Sequence, residues 1–133
     1  MKYYFFLGLL PIVLVAYSCN NQKRLLEEKE SYLLSNKWIL NKESNDTLYF
    51  DTKPVLYDRK LQYMLEFSRD KKVIYTRSEI VDFEENFGIS KGTWRHDHRF
   101  EKLETTLVVE LELKSLEVIK IDSANMIVKR LDN

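Results

Sequence analysis

From Trp38 to the end of the chain, apolar and polar residues alternate with a period of two. The alternation is clearest in two apolar series, Tyr63-Leu65-Phe67 and Leu107-Val109-Leu111-Leu113. Glu110 and Glu112 occupy the opposite face of the second series. Because successive side chains of a β-strand point to opposite faces, each series predicts a strand with one buried face. Together they predict antiparallel strands around one enclosed core.

The pattern predicts eight strands, at 37–41, 47–50, 61–68, 72–79, 89–95, 105–113, 116–121 and 126–131. The turns predicted at 69–71, 114–115 and 122–125 are short enough to join antiparallel neighbours. Residues 42–46 and 51–60 are predicted loops, and 82–87 is a predicted acidic loop. Eight short strands at this spacing predict an all-β fold, either a meander closed into a barrel or a sandwich.

A short helix is predicted ahead of the strands. Between Leu25 and Leu34 the apolar residues recur about two helical turns apart, which places them on one stripe of a helix. We expect this stripe to cap the open end of the core. Residues 20–24 are polar and are predicted to form a tether.

The first nineteen residues have the three-part plan of a secretory signal. Lys2 supplies positive charge, residues 3–16 are apolar, and the small residues Ala16 and Ser18 precede Cys19. The apolar run is shorter than the roughly 20 residues that a membrane-spanning helix needs. The segment resembles a bacterial lipoprotein signal, which implies cleavage before Cys19 and acylation of its thiol. An ordinary signal peptidase site of the Ala-x-Ser kind would cut the same bond and leave a free thiol.

Composition excludes several classes of function. The chain is 44% hydrophobic, enough for a packed core, and its 21 basic and 21 acidic residues balance, so no overall field favours nucleic acid. With three glycines, it contains no glycine-rich phosphate loop. Its one cysteine leaves nothing for disulfides or a thiolate metal site. We predict no cofactor and no nucleic-acid partner.

Sparse motifs give the chain a family resemblance. They are Leu33-Leu34-Ser35-Asn36-Lys37-Trp38, the strand Tyr63-Met64-Leu65-Glu66-Phe67-Ser68 followed by Asp70-Lys71, the motif Gly92-Thr93-Trp94, and residues 116–131. Their layout resembles the small lipocalin-like lipoproteins of Bacteroidetes. The resemblance implies an eight-stranded antiparallel meander barrel, in some members with a ligand cavity, and no agreed activity. Asn36 and Lys71 stand where the family usually has glycine.

An eight-stranded barrel is wide enough for its own side chains or for one small ligand. Trp38 and Trp94 could stack on an apolar ligand at a cavity mouth, or they could plug the closed end of the barrel. The candidate cavity residues are Trp38, Tyr63, Leu65, Phe67, Trp94, Leu107 and Val109.

No pattern in the chain predicts catalysis or a metal site. His96 and His98 would share one face of a strand, but the local sequence supplies no third ligand and places arginines on both sides. No Gly-x-Ser-x-Gly motif occurs, and no spacing identifies an acid–base carboxylate pair. We therefore predict that the protein is not an enzyme.

Two short motifs, Asp46-Thr47-Leu48 and Asp122-Ser123-Ala124, resemble the sites at which Bacteroidetes attach O-glycans to exported proteins. Both lie at predicted turns, where a bulky sugar could be accommodated. Thr47 and Ser123 are the candidate O-glycosylation residues. The alternative interpretation of both motifs is ordinary turn chemistry.

These observations predict a signal peptide at 1–18, a lipidated tether and short helix at 19–35, and a barrel domain at 36–133. Asn20 replaces the Asp associated with inner-membrane retention in enterobacteria, which favours an outer-membrane anchor facing the periplasm. The predicted function is non-enzymatic binding of a small apolar ligand. The alternative is an interaction or inhibitor module that binds an envelope protein. A cavity beyond about 300 Å³ would favour the first, and a packed interior with an exposed apolar patch the second.

Overall fold

The structure is a computed structural model that describes residues 5–53, 61–82, 84–99 and 104–131. It divides the chain into two compact units, Met1–Ser31 and Tyr32–Asn133. Helix α1 covers Phe5–Ser35. Over the described residues, no helix has the combination of length and hydropathy that a membrane crossing requires.

Residues 20–24, predicted to be a tether, are helical and lie within α1. The helix therefore extends well before the stretch 25–34 for which it was predicted, because polarity was a poor guide to where it begins. Lysine, arginine and glutamine are good helix formers. No glycine or proline occurs between Pro11 and Pro54 to end the helix earlier.

All eight predicted strands are present. They are β1 (Lys37–Ser44), β2 (Thr47–Asp51), β3 (Leu61–Phe67), β4 (Lys72–Val81), β5 (Glu84–Arg99), β6 (Glu104–Leu111), β7 (Lys114–Ile121) and β8 (Asn125–Leu131). Every neighbouring pair is antiparallel, and the strands close into a barrel. The predicted fold class, an eight-stranded antiparallel barrel with an N-terminal helix, is confirmed.

The order around the ring is β1-β2-β8-β7-β6-β5-β4-β3. Strands β3 to β8 therefore follow one another as a meander. The β1–β2 hairpin completes the ring, with β1 beside β3 and β2 beside β8. As a result β2 and β3 run in the same direction without pairing with each other.

Several predicted loops and turns are strands. Residues 42–44 continue β1, and 84–87 form the start of β5, so that the predicted acidic loop is reduced to the tip of a long hairpin. Lys114 and Ser115, predicted as a turn, begin β7. In each case polar residues belong to a strand, so polarity was a poor guide to where the strand ends.

Alternate residues of the strands point inwards and form one core. Its buried members include Leu48, Phe50, Leu65, Phe67, Val73, Leu107, Val109, Leu111, Leu116, Val118, Ile121, Met126 and Val128. Leu33 from the last turns of α1 belongs to the same cluster and is fully buried. The predicted role of the helical stripe as a cap on the core is thus confirmed for its last residues.

Two tryptophans fill the end of the barrel where β1 and β4 begin, which we call the closed end. Trp38 is fully buried and its indole N–H donates to the Leu33 carbonyl at 3.2 Å. Trp94 is also buried, and its indole N–H donates to the Ser68 carbonyl at 2.9 Å. Because buried indole N–H groups need an acceptor, these two bonds fix both rings at this end. Leu33, Trp38 and Trp94 therefore close it.

Gly92 marks a close approach between β5 and β6. A Cβ atom at this position would lie 2.0 Å from the Glu110 carbonyl oxygen and 3.0 Å from Leu111 Cδ2. At Gly88, four residues earlier on the same strand, the nearest atom to a Cβ would be Arg77 Cβ at 3.8 Å, an ordinary contact.

We expect Gly92→Ala to lower the free energy of unfolding by about 3 kcal/mol, because a backbone carbonyl cannot move aside without separating the strands. The matched control Gly88→Ala should raise it by about 0.5 kcal/mol, since alanine loses less conformational entropy on folding. Urea denaturation of both variants measures the difference. Equal midpoints would contradict the close approach at Gly92.

Candidate functional site: the barrel mouth and the outer face of the β4–β5 hairpin

The end of the barrel opposite the tryptophans has a pocket, which we call the mouth. Its volume is about 120 Å³. Four apolar side chains from three strands form part of its lining: Leu40, Leu48, Phe50 and Leu116. The polar part of the lining consists of Glu43, Tyr63, Tyr75, Lys114 and Arg130. The pocket is thus apolar in part and carries both aromatic and charged groups.

Two tyrosines from neighbouring strands stack in the mouth. The ring centroids of Tyr63 and Tyr75 are 5.6 Å apart and the rings are inclined by 14°. The Tyr75 phenol is half-buried, and burial raises its pKa from 10.0 to about 12, with a smaller contribution from neighbouring Tyr63. Tyr75 therefore remains a neutral hydrogen-bonding phenol at physiological pH.

Lys114 brings a cation to the same pair. Its Nζ lies 4.6 Å from the centroid of the Tyr75 ring, within the range of a cation–π interaction. Burial lowers the pKa of the Lys114 ammonium, and the nearby positive charge of Arg130 lowers it further. A partly desolvated ammonium gains more from an anionic partner than an ammonium in bulk water does.

The other two charges of the mouth neutralise each other. Arg130 Nη2 lies 2.6 Å from Glu43 Oε1 in a half-exposed ion pair. Lys114 thus carries the net positive charge of this lining. The arrangement is suited to one small anionic group, such as a carboxylate, with a short apolar portion against Leu48, Phe50 and Leu116.

The predicted cavity residues have separate positions. Trp38, Leu65, Trp94, Leu107 and Val109 are buried in the core with almost no exposed surface, and Phe67 is buried with them. Of the seven, Tyr63 lines the mouth pocket. The charged residues Glu43, Lys114 and Arg130 were not predicted, because nothing in their spacing indicates that they occupy the inward positions of three strands at one end of the barrel.

The predicted modification residues are accessible to different degrees. Cys19 is a free, exposed cysteine on α1. Ser123 is exposed in the β7–β8 turn, where the Asp122 carboxylate accepts hydrogen bonds from the amides of Ala124 and Asn125. Thr47 is half-buried at the start of β2, and its hydroxyl donates to Asp46 Oδ1 at 3.1 Å. Acylation and glycosylation at these positions stay predictions.

His96 and His98 lie on the same face of β5, as the period of two requires. The His96 ring makes an edge contact with Trp94, with 6.0 Å between centroids. His98 Nδ1 lies 3.2 Å from the Thr105 hydroxyl. Within the described residues, no three His, Cys, Asp or Glu side chains are grouped so that they could hold a metal ion.

A second candidate site lies on the outside of the barrel, where β4 and β5 form a long hairpin. Ile74, Phe87 and Ile89 point outwards and are 42%, 64% and 66% exposed. Ile89 pairs with Thr76, and Ile74 pairs with Lys91, so the two isoleucines are diagonal neighbours on one face. We call these three residues the outer face. Phe87 was missed as a site residue because its segment was predicted to be a loop.

No protein-family model matches this chain, and neither the curated proteins nor the solved structures contain a match to it. The resemblance to lipocalin-like lipoproteins therefore stays a prediction.

The raised pKa of Tyr75 gives a testable dependence of stability on pH. Between pH 10 and 12 the unfolded chain loses the Tyr75 proton while the folded chain keeps it, so the free energy of unfolding should fall as pH rises. In Tyr75→Phe this part of the fall should be missing. Tyr49→Phe, which removes an exposed phenol, should keep it. Urea midpoints across this pH range measure the effect, and identical slopes in both variants would contradict it.

Proposed function

We propose that this protein is a non-enzymatic, lipid-anchored module of the bacterial envelope that binds another envelope protein through the outer face of the β4–β5 hairpin. The observation that carries the proposal is the filled interior. The inward face that a ligand binder would keep open is packed, and the mouth pocket of about 120 Å³ lies well below the 300 Å³ or more typical of ligand sites.

The outer face supports a surface role. Ile74, Phe87 and Ile89 keep large apolar side chains in contact with solvent on adjacent strands. Scattered exposed apolar residues are ordinary, but grouped ones on a rigid sheet are typical of interaction sites. An aromatic residue beside aliphatic ones is also the composition favoured at the centre of protein interfaces.

The anchor is the second part of the proposal and rests on the sequence. Acylation of Cys19 would hold the chain at the outer membrane on its periplasmic side, because acyl chains of this kind give stable attachment without a spanning helix. A tethered barrel meets partners in the same membrane at a high effective concentration, so a modest interface is sufficient.

Site-specific crosslinking in the host tests the proposal. A photoreactive amino acid in place of Ile74 should give an adduct whose mass differs from twice that of this chain, because Ile74 lies on the outer face. The same amino acid in place of Ile119, an exposed isoleucine on β7, is the matched control and should give no such adduct. The masses are read by immunoblotting and mass spectrometry.

Cys19→Ser provides the second control in the same experiment. Without the thiol to acylate, the protein should leave the membrane fraction and the adduct from position 74 should be lost. An adduct of equal intensity from position 119, or none from position 74 in the anchored protein, would contradict the proposed role of the outer face.

Binding of a small ligand at the mouth is the second candidate function, and the half-buried Lys114 is the observation that favours it. The Lys114 ammonium lies over the Tyr75 ring. Because Arg130 is already paired with Glu43, Lys114 is the cation of this lining that can bind an anionic partner. A cavity of about 150 Å³ is enough for benzene in a protein core. The mouth is smaller, and we expect it to take one carboxylate with a short apolar group.

Butyrate, a carboxylate with a short alkyl chain, is a suitable probe for the mouth. It should shift the backbone amide signals of Lys114 and Tyr75 in NMR titrations of the wild-type chain and should leave those of Lys114→Met unchanged. Butan-1-ol, which has the same alkyl chain without the carboxylate, should cause no shift. Equal shifts with both compounds would contradict a role for the Lys114 charge.

A further inference from the structure

Strand β5 extends beyond its neighbour β6. It pairs with β4 from Glu84 to Thr93, but it pairs with β6 only from Gly92 to Arg99. Among the described residues, therefore, 84–91 have a strand partner on one side and none on the other. Unpaired backbone groups along a strand of this length form a ready template for another strand.

The hydrogen bonds between β4 and β5 show which residues of β5 direct their backbone groups to this open edge. Trp94 N donates to the Lys71 carbonyl at 3.0 Å, in register with the rest of the β4–β5 ladder. Because an antiparallel ladder alternates, the even-numbered residues of 84–91 bond to β4, and the odd-numbered residues direct their N–H and C=O groups to the open edge. These odd-numbered residues are Glu85, Phe87, Ile89 and Lys91.

The four edge residues are complementary to themselves. Along the strand they are acidic, aromatic, aliphatic and basic, with Gly88 at the centre. In an antiparallel copy of the same strand centred on Gly88, Glu85 stands opposite Lys91 and Phe87 opposite Ile89. Opposite charges and aromatic–aliphatic pairs are both favourable across two strands.

We propose that the open edge binds a second copy of this chain through an antiparallel pair of β5 strands centred on Gly88. The inference rests on the proposed function in that the same hairpin serves as a binding surface. It names the partner of the edge, makes Phe87 and Ile89 of the outer face cross-strand neighbours, and leaves Ile74 outside the paired edge. A two-fold symmetric contact requires that if residue i meets j, then j meets i, and the four edge residues satisfy this condition.

The geometry of the pairing agrees with the residues present. Each edge residue of each copy donates one N–H and accepts at one C=O, which gives about eight hydrogen bonds across the interface. On the axis, Gly88 faces Gly88 in a position without hydrogen bonds, where the Cα atoms of two strands approach most closely. A glycine leaves room for that approach. On the same face, Asn86 stands opposite Ser90, two polar residues of moderate size.

The charges of the edge are available for this contact. Glu85 is exposed and accepts a hydrogen bond from Ser78 on its own hairpin at 2.9 Å. Lys91 is exposed, and no carboxylate of the described residues forms a salt bridge with it. Pairing of two strand edges buries less area than a standard interface, so we expect a weak dimer that two-dimensional confinement at a membrane would strengthen.

Charge exchange tests the dimer on the full-length chain in detergent micelles, with the protein mass measured by sedimentation over a concentration series. The mass of the wild type should rise towards twice that of one chain. Glu85→Lys alone and Lys91→Glu alone should each weaken association about tenfold, because each places like charges opposite one another twice. An equimolar mixture of the two variants should recover wild-type association, since all facing charges are then opposite.

Glu84→Lys is the matched control, with the same charge change one residue away on the opposite face of the strand, outside the pairs that the two edges form. It should associate like the wild type. Hydrogen exchange at the amides of Glu85, Phe87, Ile89 and Lys91 should slow as concentration rises. A chain that stays monomeric, or a mixture no stronger than its components, would overturn the dimer.

Association that survives both single variants would place the contact elsewhere, for example on α1, and would equally overturn the proposal. Crosslinking from Ile74 to a different protein is independent of these outcomes. The proposed function can therefore hold when the dimer fails, and the dimer can hold when no other partner is found.

Discussion

The width of a closed ring of eight strands is the constraint on which the rest of this structure depends. Such a ring leaves an interior that its own side chains can fill. Here Trp38 and Trp94 occupy the closed end together with Leu33 of α1, and each indole N–H has a backbone acceptor there. Core side chains of the described residues fill the interior around them, so the described residues considered for binding are those at the mouth and on the outside.

The closed end and the mouth of the barrel differ in the side chains that line them. At the closed end Lys71 lies over the Trp94 ring, with Nζ 3.6 Å from the ring centroid. The backbone φ of Lys71 is +65°, a left-handed value that glycine adopts more often than other residues do. The cation–π contact helps to offset the cost of that backbone conformation. At the mouth no tryptophan is present in the lining, and tyrosines with a desolvated lysine take its place.

The period of two was sufficient to predict eight strands and one enclosed core, because burial follows it in strands such as β2, where Leu48 and Phe50 are buried and Tyr49 between them is exposed. It was not sufficient where strands are polar on both faces. Residues 84–87 contain two glutamates and an asparagine and were predicted as a loop, yet they form a strand because β4 supplies a partner for each of them. The mouth residues and the position of β2 beside β8 depend on contacts distant in sequence, which no local pattern records.

The open edge follows from the same closure that fills the interior. Strands in a barrel are staggered, so a strand that pairs with one neighbour early and with the other late leaves part of each side uncovered. β5 meets this condition along residues 84–91. Edges of this kind are usually protected by charge or by covering elements. Here Glu85 and Lys91 bracket Phe87 and Ile89 with opposite signs, which would repel strands in other registers and favours the one that brings unlike charges together.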